Sequence, residues 1–361
     1  MKIIFTVGTR PNFVKISPLI SVFNNLGTEN ILLHTGQHYD QSMNKVFFDQ
    51  LKLPKPDFFI HSKHKTSLEQ IANIMVEFEN VCHKLKPDLI IIPGDVNSSL
   101  ACALTANKLN IPIAHIESGL RSFDLDMQEE INRIIIDRLS DYLFITESSA
   151  NKNLLNEGIK KEKIFFVGNC MIDCLVNNKK QITKINQLDK LNLKRNKYVI
   201  VTIHRPQNVD SHSKLIEFLH LFEKISKLIK IVFVVHPRTK KEISKLNFNF
   251  NSNCLILDPL PYFEFLSLLY HSFLVLTDSG GIQEETTFLG KTCLTMRQNT
   301  ERPVTIDIGT NELVGTNTKI IFKKFIKYFN GNLKLGLIPP KWDGESSLRI
   351  SKIISKRFKK I

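Results

Sequence analysis

The chain predicts an α/β protein made of two doubly wound halves, each a parallel sheet with helices on both faces. Three observations predict it. Short, continuous apolar runs alternate with stretches of helical length from end to end. Such runs, apolar at every position rather than every second one, suit strands buried on both faces. At 361 residues the chain is long enough for two cores. Between 177 and 197 the composition turns to lysine and asparagine, with no core-forming pattern.

In order, the strand-like runs of the first half are 2–7, 31–34, 89–93, 113–116, 142–145 and 164–167. A second series follows at 198–203, 230–235, 254–257, 273–277 and 292–296. Helix-like stretches between them include 12–25, 67–84, 98–109 and 214–228, so each strand returns through a helical crossover. The composition break places the boundary within 168–197, giving domains 1–170 and 171–345. Pro339-Pro340 interrupts the chain, and 346–361 reads as a basic amphipathic helix that packs back on the first domain.

Hydrophobic residues make up 42% and charged residues 23%, the balance of a soluble globular protein. No run is long enough to span a membrane, and Met1–Val7 is too short for a signal peptide. Six cysteines (Cys82, Cys102, Cys170, Cys174, Cys254, Cys293) show neither C-x-x-C nor metal-ligand spacing, which points to buried thiols in a reducing cytoplasm. The net charge of +14 comes mostly from lysines spread along the chain, with local density at 352–360. Without aromatic RNA-binding motifs or finger spacing, it does not indicate a nucleic-acid partner.

In open parallel sheets ligands bind beyond the carboxyl ends of the strands. Here those ends carry Gly8-Thr9-Arg10 with Lys15 one turn on, His34 followed by Gly36-Gln37-His38-Tyr39-Asp40, Gly94-Asp95, and Glu117-Ser118-Gly119. In the second half they carry His204-Arg205, His236-Pro237-Arg238, Asp278-Ser279 and Arg297. One such tip is an ordinary helix cap. So many predict a shared site between the two sheets.

The run from Phe273 to Glu285 is the centre of this pattern. It starts as a strand, turns at Ser279-Gly280-Gly281 and opens a helix, which presents backbone N–H groups and a positive dipole end to an anion. An ordinary turn capped by Ser279 is the plainer alternative. Asp95 and Glu117 end runs that can lie side by side, about 5 Å apart. Two carboxylates that close would raise one pKa and supply an acid near neutral pH. Two separate helix caps are the alternative. Glu129 and Arg133 lie one helical turn apart, as an ion pair at the surface or as a third acid with its partner. His204 stands out by its place at a strand tip before Arg205. No histidine or carboxylate pair has metal-ligand spacing.

At Gly8-Thr9-Arg10-Pro11, Thr35-Gly36-Gln37-His38, Gly94-Asp95, Glu117-Ser118-Gly119-Leu120-Arg121, Glu129-Glu130-Ile131-Asn132-Arg133, Asp278 to Glu285, Thr300-Glu301-Arg302-Pro303 and Asp343-Gly344, the chain resembles the non-hydrolysing UDP-N-acetylglucosamine 2-epimerases. The resemblance implies two Rossmann-like domains in the GT-B arrangement with the active site in the interdomain cleft, no metal or other cofactor, and a homodimer. It implies that Asp95, Glu117 and Glu129 are acid/base groups and that His204 supports the departing nucleotide. Arg10, Lys15, Arg133, Ser279, Gly280, Gly281, Glu285 and Arg302 are implied as substrate ligands, with Phe265 on the uracil. The reaction implied is interconversion of UDP-GlcNAc and UDP-ManNAc by elimination and re-addition of UDP, for surface-polysaccharide precursors.

There are departures. Asn12 stands where many members have Glu, Gln128 where Pro precedes the Glu pair, and Pro206 where a second Arg follows His204-Arg205. Some members are activated by a second UDP-sugar, and the missing Arg bears on that. A branch acting on a UDP-diacetamido uronic acid shares some of these departures but usually lacks the Thr-Glu-Arg-Pro run. A GT-B glycosyltransferase and a hydrolysing epimerase are the other readings.

Overall fold

The computed structural model describes residues 1–37, 41–60 and 66–358, without the side chains of 41–45. It divides into two compact units, Met1–Asn177 with Pro340–Ile361, and Asn178–Pro339. Residues 171–177 and 340–345, which composition assigns to the second domain, thus fall in the first unit.

The first unit runs β1 (Lys2–Val7), α1 (Arg10–Asn24), β2 (Glu29–His34), α2 (Gln41–Leu51), β3 (Phe58–Phe59), α3 (Ser67–Leu85), β4 (Leu89–Pro93), α4 (Asn97–Lys108), β5 (Ile113–Ile116), α5 (Gln128–Leu139), β6 (Tyr142–Ile145), α6 (Ser148–Asn156), β7 (Ile164–Phe166) and the first half of α7 (Cys170–Lys184), which continues into the second unit. Among the described residues its sheet is parallel throughout, in the order β3-β2-β1-β4-β5-β6-β7. Leu89, Ile90, Ile91 and Ile92 of β4 are all fully buried, as a strand covered on both faces must be. One face packs Ile90 and Ile92 against Ile74, Phe78, Ala103 and Ala106.

The second unit holds α8 (Gln187–Lys190), β8 (Tyr198–Thr202), α9 (Pro206–Val209), α10 (His212–Ser226), β9 (Lys230–Val234), α11 (Pro237–Ile243), β10 (Cys254–Leu257), α12 (Tyr262–His271), β11 (Leu274–Thr277), α13 (Gly280–Phe288), β12 (Cys293–Thr295), α14 (Pro303–Asp307), β13 (Asn311–Leu313) and α15 (Thr318–Phe329). Its parallel sheet has the order β10-β9-β8-β11-β12-β13. Phe218, Phe222, Phe233 and Phe325 fill the core on one side of it. Both sheets repeat the doubly wound pattern, so each reverses direction once: between β1 and β4, and between β8 and β11.

The predicted strands form within a residue or two of the expected bounds. β3 and β13 were not anticipated; both are short edge strands. The last helix, α16 (Ser346–Phe358), packs on α1 within the first unit. The Asp173 carboxylate accepts from the Ser346 N–H at 3.0 Å and the Ser347 N–H at 2.6 Å, satisfying the start of α16. Burial raises the Asp173 pKa even against those bonds. Trp342 is buried, and its indole N–H donates to the Thr146 carbonyl at 3.0 Å. None of the six cysteines forms a disulfide, and all are buried. No helix among the described residues is long and apolar enough to cross a membrane.

Candidate active site

The tips of β1 and β4, and those of β8 and β11, flank the points where the sheets reverse, the places where ligands bind in such sheets. In the first unit, Asn12 ties the two central tips together. Its Oδ1 accepts from the backbone N–H of Gly8 (3.1 Å) and Thr9 (3.0 Å), and its Nδ2 donates to the Pro93 carbonyl (3.0 Å). A carboxylate here could not make the last bond. Arg10 opens α1, half-buried, with its guanidinium 5.7 Å from the centre of the Phe47 ring. His34 is structural: its Nδ1 accepts from the Gly36 N–H at 2.9 Å and its ring stacks on Phe59. Gln37 accepts from the Ser98 N–H at 2.9 Å. His38, Tyr39 and Asp40 lie outside the described residues.

β4 and β5 pair with Pro93 opposite Ile116, so Asp95 and Glu117 leave adjacent strand ends, as expected. Their environments differ from the like-charge pair read from sequence. Each carboxylate has its own cation. Asp95 Oδ2 meets Arg133 Nε at 3.0 Å and Nη2 at 2.8 Å. Glu117 forms a buried ion pair with Lys15. Glu117 also has φ +72°, the left-handed region that non-glycine residues seldom occupy. Such strain costs about 1–3 kcal/mol and gathers at functional sites. Gly94, at φ +65°, makes the turn possible: a Cβ there would stand 3.0 Å from Lys15 Nζ.

The expected Glu129–Arg133 pair does not form. Arg133 instead joins Asp95 and, through Nη1, Glu130 Oε2 at 2.8 Å. Glu130 is buried and also accepts from the backbone N–H groups of Ser122 and Phe123. At i and i+3 it is the acid that α5 turns inward beside Arg133, while Glu129 remains exposed on the first turn.

In the second unit Asp278, at the tip of β11, organises the site. It is fully buried. Its carboxylate accepts from the backbone N–H of His204 (3.0 Å) and Arg205 (2.9 Å), and from Asn208 Nδ2 (3.0 Å). Its Oδ1 lies 2.9 Å from His204 Nδ1. Burial would raise its pKa, but the His204 charge and these hydrogen bonds more than offset that and hold it at about 2. With Nδ1 turned to Asp278, Nε2 is the His204 nitrogen that can serve a ligand; the side chain is 38% exposed. His236 stands 5.4 Å from it, ring centre to ring centre.

Ser279 occupies the N-cap of α13, yet its hydroxyl makes no capping bond, so the plain Ser-cap reading fails. Ser279, Gly280 and Gly281 are partly exposed at the helix start. Gly280 lies under Arg302: a Cβ would come 2.5 Å from Arg302 Nη1. The Arg302 guanidinium is held by two buried carboxylates, with Nε 3.1 Å from Glu284 and Nη1 on Glu301. Arg297 pairs with Glu301 at 2.7 Å. Phe265 is half-buried on α12.

Glu285 is buried, and the Tyr262 hydroxyl donates to it at 2.8 Å. Burial pushes its pKa up to about 8, with Glu284 adding to the rise and Tyr262 opposing it. Below the ordinary carboxyl value both folded and unfolded chains keep the proton. Between there and pH 8 only the unfolded chain loses it, so each pH unit in that window disfavours folding by up to about 1.4 kcal/mol. Glu285→Gln is therefore expected to stabilise the protein at pH 8 more than at pH 5. Thermal melts at both values check this; an equal change at both would contradict it.

Thus the structure joins Asp95 to Arg133 and Glu117 to Lys15 in one unit. In the other it joins His204 to Asp278 and Gly280 to Arg302. Sequence reasoning missed the anchoring roles of Asp278, Glu130 and the buried His115–Asp137 pair. Among the described residues, no group of three or more His, Cys, Asp or Glu is placed to hold a metal.

The family model for UDP-N-acetylglucosamine 2-epimerase matches residues 23–355. A UDP-N-acetylglucosamine 2-epimerase of Methanocaldococcus jannaschii is 40% identical over 98% of this chain and 99% of its own length. A UDP-2,3-diacetamido-2,3-dideoxy-D-glucuronate 2-epimerase of Pseudomonas aeruginosa is 39% identical over 89% of this chain and 90% of its own. The solved structure of the M. jannaschii UDP-GlcNAc 2-epimerase in complex with UDP-GlcNAc and UDP superposes with a TM-score of 0.92, at 39% identity, covering 99% of this chain and all of that one. With the match spanning nearly its whole length, the chain belongs to the UDP-N-acetylglucosamine 2-epimerase family.

Proposed function

We propose that this protein is a non-hydrolysing UDP-N-acetylglucosamine 2-epimerase that interconverts UDP-GlcNAc and UDP-ManNAc. The observation that carries the reading is the pair of acids on adjacent strand ends, Asp95 and Glu117, each set by its own cation. The C2 proton of the sugar is weakly acidic and needs a positioned base. As a carboxylate takes it, the C2–H electrons form a C1=C2 double bond, and the C1–O bond breaks with its electrons going to UDP. For return, a UDP oxygen re-attacks C1 and an acid delivers a proton to the opposite face of C2. Two faces require two proton-handling groups. Asp95, Glu117 and Glu129 are the candidates.

The leaving diphosphate gains negative charge. The N-terminal amides of α13 at Gly280 and Gly281, with the Ser279 hydroxyl, suit that charge, as do Arg10 and Arg302. Lys15 and Arg133 complete the set of proposed ligands, with Phe265 against the uracil. His204, its Nδ1 fixed by Asp278, presents Nε2 to the departing oxygen. Glu285 and Tyr262 offer partners to the ribose hydroxyls. A homodimer in the cytoplasm is the proposed setting.

Product analysis tests the reading. UDP-GlcNAc alone is expected to give an equilibrium mixture with UDP-ManNAc. Free N-acetylmannosamine with UDP would mean a hydrolysing enzyme. Consumption only when an acceptor is added would mean a glycosyltransferase. Turnover of the diacetamido uronic acid substrate alone would move the protein to that branch.

A further inference from the structure

His115 sits at the centre of β5 with no exposure to solvent, and neither of its ring nitrogens is idle. Nε2 lies 3.0 Å from the Gly94 carbonyl, and Nδ1 lies 2.7 Å from Asp137 Oδ1. A carbonyl can only accept, so Nε2 must carry a proton; a further proton lies between Nδ1 and Asp137. Asp137 is fully buried as well. Its other oxygen accepts from the Gly119 N–H at 3.0 Å and meets Arg121 Nη1 at 2.8 Å. Arg121 also forks onto Glu157, at 2.7 Å through both Nε and Nη2. A chain of charged hydrogen bonds therefore ends on the carbonyl of the residue just before Asp95.

That carbonyl belongs to the peptide plane leading into Asp95. The plane leaving Asp95 is held too, because Asn132 Nδ2 donates to the Asp95 carbonyl at 2.9 Å. Arg133 holds the carboxylate itself. Gly94 has no side chain to restrict its own conformation and sits at φ +65°, so the bond to its carbonyl helps set the orientation of this peptide. Resting on the reading of Asp95 as a proton-handling acid, we propose that His115 is a positioning residue. Its Nε2–H locks the Gly94–Asp95 peptide and so aims the Asp95 carboxylate at the sugar. Asp137, bonded through the proton at Nδ1, in turn holds the ring in place.

Two substitutions separate positioning from mere support. The amide nitrogen of glutamine reaches about as far as histidine Nε2, and that of asparagine about as far as Nδ1. His115→Gln can keep the bond to Gly94 and lose Asp137. His115→Asn can keep Asp137 and lose Gly94. If His115 only supported the fold, Asn would be the milder change, since it keeps the bond to the buried charge. Positioning predicts the reverse for catalysis. In a site where a 1 Å displacement costs about a hundredfold, His115→Asn should lower kcat by about tenfold or more. KM should stay within about twofold, and His115→Gln should recover most of the lost rate.

The experiment measures kcat, KM, thermal midpoint and C2 deuterium exchange for wild type and both variants. Equal kcat losses, or a larger loss in Gln than in Asn, would overturn the inference. Wild-type protein that exchanges no deuterium at C2 would instead overturn the epimerase reading itself. If neither variant folds, the wild type decides through the nitrogen-15 signals of His115 with and without UDP. A protonated Nε2 that persists in the nucleotide complex supports the proposal, and a switch of the proton away from Nε2 overturns it.

Discussion

Asp95→Asn is expected to abolish deuterium incorporation at C2 of the sugar while leaving UDP binding intact. The amide keeps the shape of the carboxylate but cannot take a proton from carbon. A positioned general base contributes about 10²–10⁴ in rate, so a loss of about a thousandfold is expected. Arg133 keeps its bond to buried Glu130, which limits the structural damage. UDP is proposed to bind through the α13 helix start in the other unit, so its affinity should change by less than about twofold. Calorimetric titration of UDP and NMR of the sugar in heavy water read the two quantities separately. Undiminished exchange in the variant would remove Asp95 from the chemistry. A collapse of UDP affinity would mean that its role is in binding.

The second large effect is expected at Asp278. In Asp278→Asn the oxygen must face the cluster of donors at Arg205 and Asn208, which puts the NH₂ toward His204. Nδ1 must then accept rather than donate, and the proton moves to Nε2 as a fixed neutral tautomer. The ring then lacks the Asp278 carboxylate that would balance positive charge facing the departing diphosphate. Exchanging the acid for its amide in a buried Asp–His pair lowers kcat by about 10⁴ in the serine-protease case. A loss of at least about a hundredfold is expected here, because His204 is proposed to assist departure rather than to act as sole base. Stability falls as well. The carboxyl pKa is held down to about 2 in the fold, which contributes about 2 kcal/mol in the range where the unfolded chain is also ionised. That contribution is present above about pH 4 and is lost as pH falls through about 2; the variant should lack it throughout. Acid titration of the melting temperature checks this sign, and kcat at neutral pH checks the tautomer.

Most of the framework was legible because buried parallel strands are apolar at every position. The run from Leu89 to Ile92 could be little else. β3 and β13 escaped notice for the complementary reason. Edge strands of two or three residues carry little apolar pattern, and Asn311-Glu312-Leu313 reads as loop until β12 is beside it. The acids at the tips were legible as types, since Asp95 and Glu117 interrupt apolar runs. Their partners were not, because pairing depends on which face a helix turns inward. Sequence spacing offered Glu129 to Arg133, whereas burial of α5 selected Glu130. His115 was invisible as a polar group inside an apolar strand. Its function comes from a carbonyl twenty-one residues away, which only the β4–β5 register brings within reach.

The most direct measurement combines two isotopes in one tube. UDP-GlcNAc carrying oxygen-18 in the C1–O–P bridge is incubated with wild-type protein in heavy water and sampled before equilibrium. Elimination and re-addition predicts deuterium at C2 together with scrambling of the oxygen-18 into the non-bridging positions of the outer phosphate. Inversion at C2 with the label still in the bridge would contradict departure of UDP, and with it elimination and re-addition as the route to inversion.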